Sequence, residues 1–136
     1  MSTTRDKWHH RWFGVWREYG EAYRECPSIE NFICPGASTG QDKKRIAHYL
    51  DTAHLIATTS RIQFPCAISG HRFFGSVSYR TDGQWLWLDD LSHYVIEHGV
   101  CIPPEMMEHM RTYHFEPPEV TEKQIEKLDW PAVGKL

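Results

Sequence analysis

Nine histidines, four cysteines and eighteen acidic residues give this 136-residue chain the raw material for metal binding, nucleophilic catalysis or acid–base chemistry. Spacing decides which of these it supports. Two histidines hold one zinc from a helix when they stand three or four positions apart on one face. His93 and His98 are five apart, as are His109 and His114, so each pair should diverge around its helix. His9 and His10 are adjacent and cannot both face one ion. Cys26, Cys34, Cys66 and Cys101 form no C-x-x-C. A mixed site of Cys26, Cys34 and a distant histidine has no local support. No metal or other cofactor is expected.

Nucleophilic catalysis requires a hydroxyl or thiol beside a base. The chain has no G-x-S-x-G and no phosphate-binding loop signature. Cys66 and Cys101 sit among apolar neighbours and read as small core residues. Asp89-Asp90 is the obvious carboxylate pair for acid–base work, yet a helix cap accounts for it, and a turn accounts for Asp82. An enzyme, such as a hydrolase or metal-dependent enzyme, would have to assemble its site from distant segments. His48, His54, His71 and Cys66 are the candidates for that reading.

The elements that would position these groups are legible in the hydrophobic pattern. Trp8, Trp12, Val15, Trp16, Tyr19 and Tyr23 recur at spacings of three and four, which predicts an aromatic amphipathic helix within residues 1–26, stopped by Pro27. Such a helix could pack on the domain or pair with a second chain. Ser28 is placed to cap a short turn, and residues 41–52 predict a helix with Ile46, Ala47, Tyr49 and Leu50 inward. Residues 54–60 and 72–80 read as strands. Asp82-Gly83 signals a two-residue hairpin turn joining residues 72–80 to 84–88, with Trp85 and Trp87 on one face, set across from Tyr79 or Val77. One face of that ribbon is expected to be buried and the other wet.

Asp89 or Asp90 should cap a helix that runs to His98 and stops at Gly99. Pro103-Pro104 opens a further helix over 104–114, with Met106, Met107, Met110 and Tyr113 on its apolar side. After the linker Glu116-Pro117-Pro118-Glu119, Thr121 and Gln124 match a capping box for a last short helix over 121–129. The whole predicts one α+β domain over residues 1–136. A small antiparallel sheet of about three strands packs with four to five helices. Residues 41–115 form the core and 116–136 a C-terminal extension.

Net charge is −3 and unevenly spread: residues 1–72 hold ten Lys/Arg against seven Asp/Glu, residues 73–136 five against eleven. This argues against direct nucleic-acid binding and suits a basic protein partner. No apolar run resembles a leader or a membrane span, so a cytoplasmic protein with reduced thiols and no membrane contact is expected. A Cys26–Cys34 bridge is the one disulfide weighed against that. The sequence leaves the oligomeric state open.

The stretch from His48 to His109 shows a recurrent pattern: Tyr49-Leu50-Asp51, an apolar strand, Thr81-Asp82-Gly83-Gln84-Trp85-Leu86-Trp87, Asp90-Leu91, Tyr94-Val95, and a proline opening a helix that ends near His109. It resembles the small immunity proteins encoded beside toxins in bacterial competition systems. The resemblance covers about half the chain and implies a cytoplasmic, non-catalytic protein that binds one cognate toxin domain and occludes its active site. Toxins of that kind act on nucleic acids, nucleotides or NAD, and many are basic. The partner-binding surface this implies, given the acidic half and the exposed rings expected of an interface, is Trp85, Trp87, Asp89, Asp90, Glu97, Glu105 and Glu108.

Overall fold

A computed structural model describes residues 10–34, 40–56 and 78–130. Four short strands form one mixed sheet: β1 (Trp12–Phe13), β2 (His54–Leu55), β3 (Tyr79–Thr81) and β4 (Leu86–Leu88), in the order β1-β4-β3-β2. The helices are α1 (Gly40–Thr52), α2 (Leu91–His98), α3 (Pro104–Thr112) and α4 (Glu122–Glu126). The α+β class is as expected. The sheet has one strand more than anticipated, and that strand runs parallel to its neighbour.

The extra strand replaces the anticipated N-terminal helix. Over residues 10–26 the backbone makes β1 and then two single 3-10 turns, Arg17–Tyr19 and Glu21–Tyr23. Gly14 sits at φ 85, outside the helical region. Trp12 pairs with Leu86 and Phe13 with Trp87. The three-and-four spacing of the rings was satisfied by a different object: successive aromatics point to opposite faces of a strand. Trp8 and the rest of 1–9 lie outside the described residues, as do 57–60 and 72–77 of the two anticipated strands.

Side-chain alternation divides the interior in two. Phe13, Trp85 and Trp87 face one side, where Ile46, Tyr49 and Leu50 of α1, Leu91, Tyr94 and Val95 of α2, and Met106 and Met110 of α3 close over them. Trp12, Tyr79, Leu86 and Leu88 face the other, covered by Val15, Cys26 and Leu128. Both faces are therefore buried, not one. Tyr79 opposes Leu88 and lies across the sheet from the tryptophans; Trp87 is paired with Arg80. The buried Trp87 indole donates to the Leu50 carbonyl at 3.1 Å, so the ring adds apolar contact without stranding a donor.

The helix stops and starts follow local chemistry. Gly99 ends α2 in the left-handed conformation, and Pro104 opens α3 where a missing N–H costs nothing. Ser28 caps a 3-10 turn over Ile29–Phe32. The Thr121–Gln124 capping box is complete, with the Thr121 side chain bonded to the Gln124 N–H and the Gln124 side chain to the Thr121 N–H. No disulfide joins Cys26 to Cys34. Burial raises the Cys26 thiol to about 11. Among the described residues no helix is long and apolar enough to cross a membrane.

The hairpin turn differs from the two-residue form anticipated. Thr81 pairs with Leu86, leaving four residues in the loop, and only Gly83 has positive φ, at 98. Its missing Cβ leaves room for α4: a Cβ there would lie 2.7 Å from Gln124 Nε2. The Gln124 amide is flexible and could give way, but the left-handed backbone could not. Gly83→Ala is expected to lower stability by about 1–2 kcal/mol, read as a lower urea midpoint at unchanged slope; an unchanged midpoint would contradict this account of the turn.

Candidate functional site

The side chains that meet at the hairpin turn come from three elements. Asp82, 1% exposed, accepts through Oδ1 from the N–H groups of Gln84 (3.0 Å) and Trp85 (2.7 Å). Its Oδ2 accepts from the Tyr49 hydroxyl of α1 (2.6 Å) and lies 3.1 Å from His109 Nε2 of α3. The imidazole meets Oδ2 as a close polar contact off the ideal hydrogen-bond line. Thr81 closes the turn, its hydroxyl donating to the Trp85 carbonyl (2.7 Å) and accepting from Gly83 N–H (3.0 Å). Burial pushes Asp82 up, but His109, the Trp85 N–H and Tyr49 outweigh it and hold the carboxyl below its usual range. Burial, and then the Asp82 charge, push the Tyr49 hydroxyl far up, so it stays a donor.

Beside this cluster α3 borders an open groove of about 230 Å³. Glu105, Glu108, His109 and Thr112 line it from α3, Gln84 and Trp85 from the hairpin, and Arg11 from the segment before β1. The Arg11 guanidinium lies 5.3 Å from the Trp85 ring centre, a cation–π distance. Glu108 is exposed and meets Arg111 in a 3.5 Å surface contact, an exposed pair worth little. Glu105 is half-buried, and its Oε1 accepts no hydrogen bond among the described residues.

Of the seven residues anticipated as an interface, the groove gathers Trp85, Glu105 and Glu108. Glu97 is exposed on α2. Asp89 is half-buried and holds Arg80 at 2.6 Å; Arg80 in turn donates to the Ala53 carbonyl at 2.6 Å. Trp87 and Asp90 are buried, at 0% and 6% exposed, and Trp85, at 2%, borders the groove only as part of its wall. The two rings are core because three helices close over them, which no local pattern announces.

Nor does either aspartate cap α2. Asp90 occupies the N-cap position, yet its side chain makes no cap bond. Oδ2 accepts instead from Tyr19 at 2.6 Å, and Tyr19 Oη lies 3.0 Å from Tyr94 Oη. Asp90 Oδ1 is buried without a partner among the described residues. Burial pushes Asp90 up to about 7, opposed by the Tyr19 hydrogen bond and reinforced by the Asp89 charge.

His48 contacts Glu116 at 3.0 Å; His54 stands on the edge strand β2 with its side exposed; His71 and Cys66 lie outside the described residues. His93 and His98, expected to diverge, bring their rings to 5.1 Å at the end of α2, and burial lowers the His93 pKa. Among the described residues no three His, Cys, Asp or Glu side chains are grouped as metal ligands. Sequence reading missed Tyr49, His109, Tyr19 and Arg11. All four act across long sequence separations, and a turn or a cap already accounted for the aspartates they meet. Set against family models, curated proteins and solved structures, the chain matches none.

In the unfolded chain the Asp90 carboxyl ionises near 3.8. From there up to about 7 the folded protein keeps a proton that the unfolded chain has released, so this group's contribution to stability falls as pH rises through that window. Asp90→Asn removes the titration and keeps an acceptor for Tyr19. The variant should gain stability relative to the parent by a few kcal/mol between the two ends of the window, read from urea unfolding at several pH values. A constant difference across that range would contradict the burial of this carboxyl.

Proposed function

We propose that this protein is a binding protein of the immunity type, which captures a basic toxin domain and blocks that domain's active site. The observation that carries the reading is the α3 groove itself, which Glu105 and Glu108 line from one helix. A lysine or arginine from a partner would meet the exposed Glu108 carboxylate there, with Glu105 beside it. A charge-assisted bond of that kind is about twice as strong as a neutral one. The resemblance of residues 48–109 to immunity proteins supports the same class.

The surrounding charge suits the task. Glu97, Glu108, Glu116, Glu119, Glu122 and Glu126 are all exposed, against Arg111, Lys123 and Lys127 on the same half of the chain. Such a surface accelerates encounter with a basic partner and turns away acidic ones. The buried tryptophans contribute stiffness, and the aromatic or aliphatic anchors of an interface fall to exposed apolar groups. Ile96 stands next to Glu97 on α2, and Trp130 follows α4, stacked edge-on against Tyr79 at 4.9 Å. The reading places the protein in the cytoplasm, where free thiols stay reduced. It asks for no cofactor and for no contact with nucleic acid or membrane.

Glu105→Gln combined with Glu108→Lys should weaken capture of the toxin domain encoded beside this gene by about tenfold or more, with the melting temperature little changed. Isothermal calorimetry at low salt measures it. Parental affinity in the double variant would remove the α3 groove from the interface.

A further inference from the structure

At the C-terminal end of α3 lies a larger opening of reversed charge. Lys44, Arg45 and His48 of α1 face Arg111, His114 and Phe115 at the end of α3 across a groove of about 760 Å³. Lys44 and Arg45 are exposed, and no carboxylate pairs with either among the described residues. Among the described residues Arg111 pairs with Glu108 alone, in an exposed contact at 3.5 Å. Glu116 is the one acid among the described residues that line the groove, and it contacts His48 at 3.0 Å. Three permanent cations therefore share one cavity in a protein whose net charge is −3. Clustering like charges costs free energy unless an anion relieves it.

The backbone points the same way. His114 and Phe115 hold φ of 53 and 59, two consecutive side-chain-bearing residues in the left-handed region. Each such residue costs about 1 kcal/mol or more. Their N–H groups close the end of α3 onto the carbonyls of Arg111 (2.9 Å) and Met110 (3.0 Å). Glycine ends a helix in this conformation without strain. Here the strained turn carries an imidazole and a phenyl ring instead, and both border the groove.

We infer that this groove binds a small molecule carrying two or more phosphoryl groups, of the size of a nucleotide. Its volume lies within the range of small-ligand sites, about 300–1,000 Å³. Arg45 and Arg111 can each grip phosphate oxygens through two parallel N–H bonds, and Lys44 adds a mobile point charge. The His48 and His114 rings add N–H donors, and Phe115 offers an apolar wall to the rest of the ligand. The inference stands apart from the toxin-binding reading: it uses other side chains and an oppositely charged surface.

Calorimetry of the full chain with ATP, with inorganic pyrophosphate and with adenosine tests it. ATP and pyrophosphate should both give saturable binding that weakens as salt is raised, and adenosine should give none. Arg45→Glu and Arg111→Glu should each weaken ATP binding by about tenfold or more with the melting temperature retained. Lys123→Glu on α4 changes net charge equally and should leave binding unchanged. The inference is overturned if neither phosphate compound saturates at millimolar concentration, if adenosine binds alone, or if Lys123→Glu weakens binding as much as the groove variants.

Discussion

One buried carboxylate sets the geometry of this molecule. Asp82 is held by two backbone N–H groups of its own turn, by the Tyr49 hydroxyl from α1 and by the His109 imidazole from α3. An ionised carboxylate inside a protein is tolerable only when its lone pairs are filled and a counter-charge is near. Each partner therefore fixes an element in place: the hairpin loop, the first helix and the third. Removing one donor leaves the others to solvate a charge that water cannot reach, which costs more than the bond itself contributed. The α3 groove inherits its position from this arrangement, because His109 and Glu105 stand on the same helix one turn apart.

Around that point, polar chemistry divides by depth. The inner carboxylates are occupied with the fold: Asp82 with Tyr49 and His109, Asp90 with Tyr19, Asp89 with Arg80. The outer ones, on α2, α3 and α4, are solvated and weakly paired. Exposed pairs contribute little to stability, so that charge is available for recognition. Two grooves of opposite sign flank α3, one beside Glu105 and Glu108, the other beside Arg111. One helix thus contributes both to a surface that suits cations and to one that suits anions.

Much of the architecture was legible because its signals are local. The Thr121–Gln124 box, the Gly99 stop, the Pro104 start and the shared face of Trp85 and Trp87 each depend on neighbours within four residues, and each stands as read. The errors share the opposite property. The aromatic spacing of Trp12, Trp16 and Tyr19 suits a helix until the segment pairs with Leu86 and Trp87, more than seventy residues away. Asp89 and Asp90 look like caps until Arg80 and Tyr19 claim them. Trp85 and Trp87 look like an interface until α1, α2 and α3 close over them. Tertiary competition decided each case, and a single sequence carries no record of it. Of the site, the two glutamates of α3 were readable as surface charge; their meeting with Arg11 and Trp85 in one groove was not.

The account rests on Asp82 joining α1 to the hairpin, and a double-mutant cycle measures that link directly. Unfolding free energies of the parent, Tyr49→Phe, Asp82→Asn and the double variant give the coupling between hydroxyl and carboxylate. A coupling of about 1–3 kcal/mol is predicted for a buried, charge-assisted bond. Additive effects, within about 0.5 kcal/mol, would mean that the two groups do not depend on each other and that something else holds these elements together.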